Sequence, residues 1–306
     1  MINKAGAARF SVLSNSVLIA IKLIAGVMSG SVAIISEAAH SGIDLVAAII
    51  AFFSVRAADV PPDQEHPYGH GKIENLSGTI EAALISTAAI YIIYEAVRKL
   101  IKGAETKDLT LGIIVMLVSA VVNIVVSRWL FHVAKQTDSV ALEADAQHLA
   151  VDVYTSLGVF VGLILIEFTG LHVLDPIIGL GVAVVITKVA YDLTKKAAAP
   201  LIDTRLPEGE LDTLKSILCS DSRVLAYHKL RTRKAGSERH IDVHLLVSPE
   251  LSLSEGHRLA EDMEDKIRET FERVMVVTHV EPIDEEELGE TGVRCQTQKP
   301  DQDTQA

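Results

Sequence analysis

The sequence of 306 residues contains only two cysteines, Cys219 and Cys295, and only 5% aromatic residues. Two cysteines are too few for a disulfide framework or for a cysteine-based zinc site, and they favour a reducing compartment slightly over an oxidising one. The sequence also lacks a basic cluster, and its formal net charge is −12. Because phosphates would repel such a protein, nucleic acid is not an expected partner.

Charged side chains are scarce in the first two-thirds of the chain. Residues 1–202 contain 31 charged side chains, whereas residues 203–306 contain 37 in about half that length. This split predicts a membrane unit over residues 1–202, followed by a water-soluble unit over residues 203–284. Residues 285–306 are acidic and rich in glutamine, so we expect a disordered tail there.

Six stretches are long and apolar enough to span a bilayer, which takes about 20 residues. They are residues 10–29, 32–57, 73–100, 109–133, 146–168 and 176–199. An even number of spans places both termini on one side, and the basic residues near the span ends favour the cytoplasm as that side. The basic loop after the third span argues against this orientation. Residues 1–9 are too short and polar for a signal peptide, so we expect no cleavage.

Two of the spans carry the same polar motif, His-x-x-x-Asp. His40 and Asp44 lie in the second span, and His148 and Asp152 lie in the fifth. A spacing of four places both side chains on one helix face. Two such helices packed together would present two imidazoles and two carboxylates, a four-coordinate set suited to zinc. The alternative is two unrelated pairs that hydrogen-bond neighbouring helices, and the duplication at mid-span disfavours it.

The charge of this set suggests an exchanger. A divalent cation with two carboxylates and two neutral imidazoles sums to zero, and the metal-free set can bind protons and approach neutrality as well. Metal binding displaces protons from such ligands. The motif therefore predicts exchange of metal for protons.

A polar turn between the second and third spans contains Asp63, His66 and His70. These three side chains could hold a metal with water as a fourth ligand, and a solvated turn explains them equally well. Lys72 opens the third span, where it could anchor the helix to headgroups or to an acid of the C-terminal half.

The last third reads as a small α+β unit. Helices are expected at 207–218 and 254–273, and strands at 224–233, 239–247 and 274–281. Five histidines lie in this unit: His228, His240, His244, His257 and His279. On the strands, His244 shares a face with His240 and Asp242, and His279 shares one with Glu281. Facing groups of this kind could build His/carboxylate metal sites.

These features resemble the cation diffusion facilitator family, and in particular its bacterial zinc- and iron-exporting members. The matching features are the six spans, the paired His-x-x-x-Asp motifs, the run His66-Pro67-Tyr68-Gly69-His70-Gly71-Lys72, the run Leu142-Glu143-Ala144-Asp145-Ala146 and Asp175-Pro176. The resemblance covers about residues 5–284. One departure is His40, which stands where those members often have Asp.

The resemblance implies a homodimeric secondary transporter in the bacterial inner membrane that exports divalent metal from the cytoplasm in exchange for protons. It implies six transmembrane helices followed by a cytoplasmic ferredoxin-like α+β domain. Zn²⁺ is the favoured ion, with iron, cobalt, cadmium and manganese left open. The implied residues are the transport site His40, Asp44, His148 and Asp152; the loop site Asp63, His66 and His70; the regulatory site His228, His244, His257, His279 and Glu281; and an interlock of Lys72 with Asp203.

Two other classes of protein could also place metal ligands within a membrane: a metallopeptidase, and a metal sensor or assembly factor. A membrane metallopeptidase would need a motif such as His-Glu-x-x-His, which the sequence lacks, so we do not expect an enzyme. A membrane metal sensor or assembly factor would use the same fold without transport. The intact set of four intramembrane ligands disfavours that alternative, and only a flux measurement decides it.

Overall fold

The computed structural model describes residues 3–29, 32–102, 110–171, 173–284 and 292–295. Two compact units make up the chain, Met1–Leu201 and Ile202–Ala306. The division falls one residue before the boundary that the charge distribution predicts. The two parts are called here the helical unit and the C-terminal unit, and each is described by itself.

Six long helices form the helical unit. They are α1 (Lys4–Ser29), α2 (Val32–Ala58), α3 (Lys72–Lys102), α4 (Thr110–Thr137), α5 (Val140–Thr169) and α6 (Leu174–Ala198), and a short 3-10 turn, Ala199–Ile202, follows α6. Pro176 stands in the first turn of α6, where the missing N–H removes no hydrogen bond of the helix. Each predicted span therefore corresponds to a helix.

Among the described residues, four helical segments are long and apolar enough to cross a bilayer. They are Lys4–Ala25, Lys72–Ile101, Leu117–Thr137 and Pro176–Ile202. The helices α2 and α5, which carry the two His-x-x-x-Asp motifs, are not among the four. Both helices contain residues whose side chains lie outside the described part of the chain. The helical unit has the helices of a membrane domain, while the count of six spans stays a prediction.

Small residues bring the helices of this unit close together. A Cβ atom on Gly78 of α3 would lie 3.1 Å from the Cβ atom of Ala197 in α6. A Cβ atom on Gly158 of α5 would lie 2.5 Å from Cγ2 of Val182 in α6. Close backbone approach is the usual means of helix association in lipid, where the hydrophobic effect does not drive it. The helix α5 packs against α2, α3, α4 and α6, and Asp145 and His148 of α5 are buried.

The C-terminal unit is a small mixed sheet with two helices. Its elements are α7 (Glu208–Leu218), β1 (Ala226–Ala235), β2 (Glu238–Val247), α8 (Leu253–Thr270), β3 (Val274–Pro282) and β4 (Val293–Arg294). The strand order is β3-β2-β1-β4, with β1 and β2 antiparallel and β2 and β3 parallel. The first five elements follow in the order that the hydrophobic periodicity predicts.

Strict alternation along β2 builds the core of this unit. Ile241, Val243 and Leu245 are buried on one face of the strand, where they join the apolar residues of α7 and α8 in one cluster. The helix α8 begins with a capping box, in which the Ser252 side chain accepts from the Glu255 backbone N–H and the Glu255 carboxylate accepts from that of Ser252.

Two features of the C-terminal unit correct the sequence analysis. Cys219, just after α7, forms a disulfide with Cys295, although the cysteine count predicted no disulfide framework. Val293–Arg294 pairs with β1, so ordered structure extends into the expected disordered tail. Composition could not show this, because a backbone ladder and a covalent link need no apolar side chains. Residues 285–291 and 296–306 of that tail lie outside the described residues.

Candidate metal-transport site and histidine cluster

The two motif helices meet through one residue from each motif. Nε2 of His148 in α5 lies 3.2 Å from Oδ1 of Asp44 in α2. Both side chains are buried, with 8% of His148 and 5% of Asp44 exposed. Burying a carboxylate costs several kcal/mol unless it is paired. The contact therefore holds two of the predicted ligands together in the interior.

Asp152 lies one turn beyond His148 on the same helix. Nδ2 of Asn123 in α4 donates a hydrogen bond to Oδ2 of Asp152 over 3.4 Å. Within the part of the chain that the structure describes, Nδ1 of His148 and Oδ1 of Asn123 have no hydrogen-bond partner. Buried polar atoms without a partner are uncommon in proteins, and a ligand that comes and goes is one explanation for them. These two buried atoms, on α5 and α4, are therefore available to bind a ligand.

His40 is a helical residue of α2, four positions before Asp44, and its side chain lies outside the described residues. Its neighbour Ser41 accepts a hydrogen bond of 2.7 Å from Nζ of Lys22 in α1, and both side chains are buried. This contact places the one cation of mid-α1 beside the second span. Lys22 lies within the first predicted span, and its partner cannot be read from spacing along the sequence.

The loop between α2 and α3 brings Asp63, His66 and His70 together. Their possible ligand atoms lie within 4.8 Å of one another. Oδ1 of Asp63 accepts hydrogen bonds from the backbone N–H groups of His66 (2.6 Å) and Glu65 (2.9 Å). The His66 backbone N–H group is the largest of the causes that lower the pKa of Asp63, so its carboxylate is ionised at neutral pH. Gly69, with φ of 77°, makes the turn that returns His70 to Asp63.

Three neighbouring strands bring histidines of the C-terminal unit into a row. His228 of β1 pairs in register with His244 of β2, and His244 pairs with His279 of β3. The ring centroids lie 5.2 Å apart for His228 and His244, and 4.8 Å apart for His244 and His279. The register of the strands, which spacing along the chain does not reveal, thus assembles residues that are up to 51 positions apart.

Glu281 completes this group, which is called here the histidine cluster (His228, His244, His279 and Glu281). Its Oε1 atom contacts Nε2 of His228 and lies 3.2 Å from Nδ1 of His244, and its Oε2 atom lies 3.5 Å from Nε2 of His279. Partial burial acts to raise the pKa of Glu281, but hydrogen bonds from His228 and His244 outweigh it, and the pKa is lowered. An ionised carboxylate with imidazoles around it is a donor set that fits zinc.

One predicted member of the regulatory site stands apart within the chain. His257 is exposed on α8, where its Nε2 atom lies 3.5 Å from Oε1 of Glu261, one turn further along the helix.

A backbone bulge follows His228, and Lys229 there has a φ of 49°. Bulges redirect side chains at functional sites, and this one cannot be read from spacing along the chain.

The comparisons with known proteins decide the family. Residues 8–202 match the cation efflux transmembrane domain, and residues 206–283 match the cytoplasmic domain of cation efflux proteins. The chain belongs to the cation efflux, or cation diffusion facilitator, family. Membership in this family makes the protein an integral membrane cation-efflux transporter rather than an enzyme. The resemblance predicted from the motifs is thereby confirmed.

Two relatives in this family match most of the chain, and a solved structure matches a smaller part. An uncharacterised transporter of Synechocystis sp. is 37% identical over 87% of this chain and 86% of its own. The cation-efflux pump FieF of Shewanella oneidensis is 32% identical over 90% of this chain and 93% of its own. The solved zinc form of CzrB is 32% identical and covers 26% of this chain and 92% of that one, with a TM-score of 0.25.

Proposed function

We propose that the protein exports divalent metal ions from the cytoplasm in exchange for protons, with zinc as the favoured ion. The observation that carries this proposal is the buried contact between His148 and Asp44, which joins the two motif helices. The family supplies the direction, since its members are cation-efflux proteins. The metal is the substrate, and His40, Asp44, His148 and Asp152 are the ligands that would bind it in transit.

The chemistry of the four ligands supports both zinc and proton exchange. Two imidazole nitrogens and two carboxylates suit the tetrahedral preference of zinc, whereas oxygen-only sets suit manganese or magnesium. When the metal leaves, the same groups can take up protons, because both imidazole and carboxylate must be deprotonated to bind metal. Alternating access would expose this set to one side of the membrane at a time as α2 and α5 shift against their neighbours.

Several further features belong to the proposal. The protein would be a homodimer in the bacterial inner membrane, with six spans, both termini in the cytoplasm and a ferredoxin-like C-terminal domain. Lys72 and Asp203 would interlock; within the C-terminal unit, Asp203 accepts a hydrogen bond of 3.2 Å from Nη1 of Arg233. Asp63, His66 and His70 would form a second metal site, in the loop.

The histidine cluster would bind regulatory metal. Its carboxylate already gathers three imidazoles, so zinc needs little rearrangement there. Metal bound between two such domains would also reduce the repulsion between two acidic surfaces and stabilise the closed dimer. His257, exposed on α8, would then contribute from its own position on the surface. Cytoplasmic metal would in this way activate its own export.

Flux through reconstituted protein tests the transport proposal. The full-length protein, Asp44→Asn and Asp152→Asn are placed in liposomes, and zinc uptake is followed with an indicator under an imposed pH gradient. Asp192→Asn, on the exposed side of α6, is the matched control. We expect both site variants to fall to the level of protein-free vesicles, and the control to match the native protein. Uptake that is unchanged when an uncoupler collapses the gradient would refute proton exchange.

The same experiment separates transport from the alternative of a sensor or assembly factor. A sensor would bind zinc through both sites and give no flux in the native protein. A transporter gives flux that depends on Asp44 and Asp152.

A further inference from the structure

Two buried carboxyl groups of the helical unit take no part in the proposed transport site. Glu81 in α3 is 0% exposed, and Asp145 in α5 is 1% exposed. Their surroundings are apolar, because Ala82, Ile85 and Ala144 belong to the cluster in which α3, α5 and α6 pack. An ionised carboxylate in such surroundings costs several kcal/mol unless hydrogen bonds or a cation compensate.

That compensation is largely missing. The Ser77 hydroxyl donates to Oε1 of Glu81 over 3.5 Å, which is a long hydrogen bond. Among the described residues, Oε2 of Glu81 and both carboxylate oxygens of Asp145 have no hydrogen-bond partner. The Ser11 hydroxyl of α1 approaches Asp145 without meeting hydrogen-bond geometry. A proton on Glu81 removes the charge that these surroundings fail to stabilise.

The charges around the pair also favour a proton on Glu81. The two carboxyl groups are close enough to repel each other when both are ionised. The described charged and polar groups that bear on the pair are Ser77 on α3, Ser11 on α1, Asp44 on α2 and His148 on α5, while α6 presents Ile186 and Ala190. The buried lysines of this unit contact other groups: Lys4 pairs with Asp59 and Glu74, and Lys22 donates to Ser41.

We propose that Glu81 is an intramembrane proton-binding site, separate from the four metal ligands, that releases its proton when a divalent metal occupies the transport site. Asp145 links Glu81 to the transport site, because the charge of Asp145 acts on Glu81 and also on His148 and Asp44. A divalent ion on Asp44 and His148 adds positive charge beside Asp145 and offsets its repulsion of Glu81. The ionised form of Glu81 then becomes favourable, and the proton leaves.

A polar face of α3 gives this proton a route. Glu74, Ser77 and Glu81 are three and four residues apart and so lie on one side of the helix. Glu74 stands in the first turn of α3, where its carboxylate accepts from Nζ of Lys4 (2.8 Å) and from the Ser139 hydroxyl (2.6 Å). Glu81 lies seven residues further, about 10 Å along the helix axis. The polar residues of this face thus lead from Glu81 towards the polar cluster at the start of α3.

Infrared spectroscopy of the full-length protein in lipid tests the proton directly, without transport. A protonated carboxyl has its own carbonyl band, distinct from that of a carboxylate. At neutral pH we expect this band in the native protein, its loss in Glu81→Gln and its retention in Glu95→Gln. Glu95 is the matched control, because it lies on the same helix and pairs with Arg98 at 3.2 Å. Identical spectra for the native protein and Glu81→Gln would overturn the proposal.

Metal and proton counts test the coupling, which rests on the proposed metal export. Saturating zinc should diminish the Glu81 band, and a band unaffected by zinc would overturn the coupling. In liposomes with pH and zinc indicators, Glu81→Gln should move fewer protons per zinc ion than the native protein and Glu95→Gln, and an unchanged ratio would also overturn the coupling. If the native protein moves zinc without protons, proton exchange itself is refuted, whereas the infrared band still decides whether Glu81 holds a proton.

Discussion

The motif residues of α2 and α5 and the histidine cluster of the sheet use the same kinds of side chain in opposite surroundings. In the helical unit, His148 and Asp44 are buried between helices and one imidazole nitrogen has no partner among the described residues. In the C-terminal unit, one carboxylate already contacts three imidazoles on adjacent strands, and His279 is exposed to solvent. Side chains with unused hydrogen-bonding atoms suit an ion that binds briefly during transport. Side chains that already contact one another suit an ion that remains bound.

The charge of each set sharpens this difference. Two carboxylates and two imidazoles neutralise a divalent ion, so metal or protons leave the intramembrane set near the same charge. Three imidazoles and one carboxylate leave a divalent ion with a net positive charge, which acidic surroundings in water can balance but a bilayer cannot. The set with more carboxylate therefore belongs in the membrane, where a residual charge is most costly.

The largest expected effect comes from His148→Asn. This change removes a proposed nitrogen ligand and the contact that joins α5 to α2, so zinc flux in liposomes should fall to background. Zinc affinity at the histidine cluster, measured by calorimetry on the same protein, should be unchanged. His132→Asn is the control, because His132 is an exposed helical histidine of α4. If flux survived His148→Asn, the intramembrane set would not be the transport site.

The reciprocal change is His244→Asn in the middle strand of the cluster. Loss of the central imidazole should weaken zinc binding at the cluster by at least about 10–100-fold, the loss typical for removal of even an outer-shell partner. Flux at saturating zinc should remain, while the zinc concentration needed for activation should rise.

His257→Asn completes this comparison. Within one chain His257 lies apart from the cluster, so its loss should weaken zinc binding less than His244→Asn does. Equal losses would mean that a second subunit delivers His257 to the bound metal. Cross-linking of the two variants with and without zinc would then show whether both disturb the closed dimer.

The pH dependence of zinc binding at the histidine cluster gives a smaller effect. Because the pKa of Glu281 lies below its ordinary value, its carboxylate stays ionised as the pH falls from 7 towards 5. Zinc competes with protons for its ligands, so zinc affinity at the cluster should fall with the pH, and the fall should be shallower when one ligand is removed in His244→Asn. If Glu281→Gln rather than His244→Asn removed the pH dependence, protonation of the carboxylate would be the cause.

The motifs predicted the helical unit and the residues that share a helix face, because periodicity and spacing along one helix are visible in a sequence. The pairs His40/Asp44 and His148/Asp152 each lie on one helix face for this reason. What spacing could not show is which residue of one motif meets which residue of the other. The contact between His148 and Asp44, and the support of Asp152 by Asn123, depend on how α2, α4 and α5 pack.

The C-terminal unit shows a similar limit. Alternation along β2 predicted its core face, whereas the alignment of His228, His244 and His279 depends on strand register and on the parallel pairing of β3. Glu81 illustrates a further limit, since spacing along α3 does not show whether a polar side chain of the helix is buried. Its complete burial and its unpartnered oxygen are visible only in the packed structure.

The smallest expected effect concerns a carboxylate whose bonds are all made, in contrast to Glu81. Two side-chain hydrogen bonds from Arg223 to Asp221 (3.0 and 2.8 Å) lower the pKa of Asp221 to about 2. Arg223 is 40% exposed, so solvent screens the pair and its contribution to stability is about 1 kcal/mol. A lowered pKa means that this stability is present above about pH 4 and is lost as the pH falls towards 2.

Asp221→Asn tests this value by amide hydrogen exchange in the full-length protein. At neutral pH the turn between α7 and β1 should lose about 1 kcal/mol of protection, and the native protein and the variant should converge as the pH falls towards 2. Asp212→Asn is the control, because Asp212 is 70% exposed and pairs with Lys215 only across one turn of α7, where pairs contribute a few tenths of a kcal/mol. An equal effect of the two changes would show that the bonds from Arg223 add nothing beyond a surface ion pair. The contrast with Glu81 would then rest on burial alone, and not on whether the carboxylate oxygens have partners.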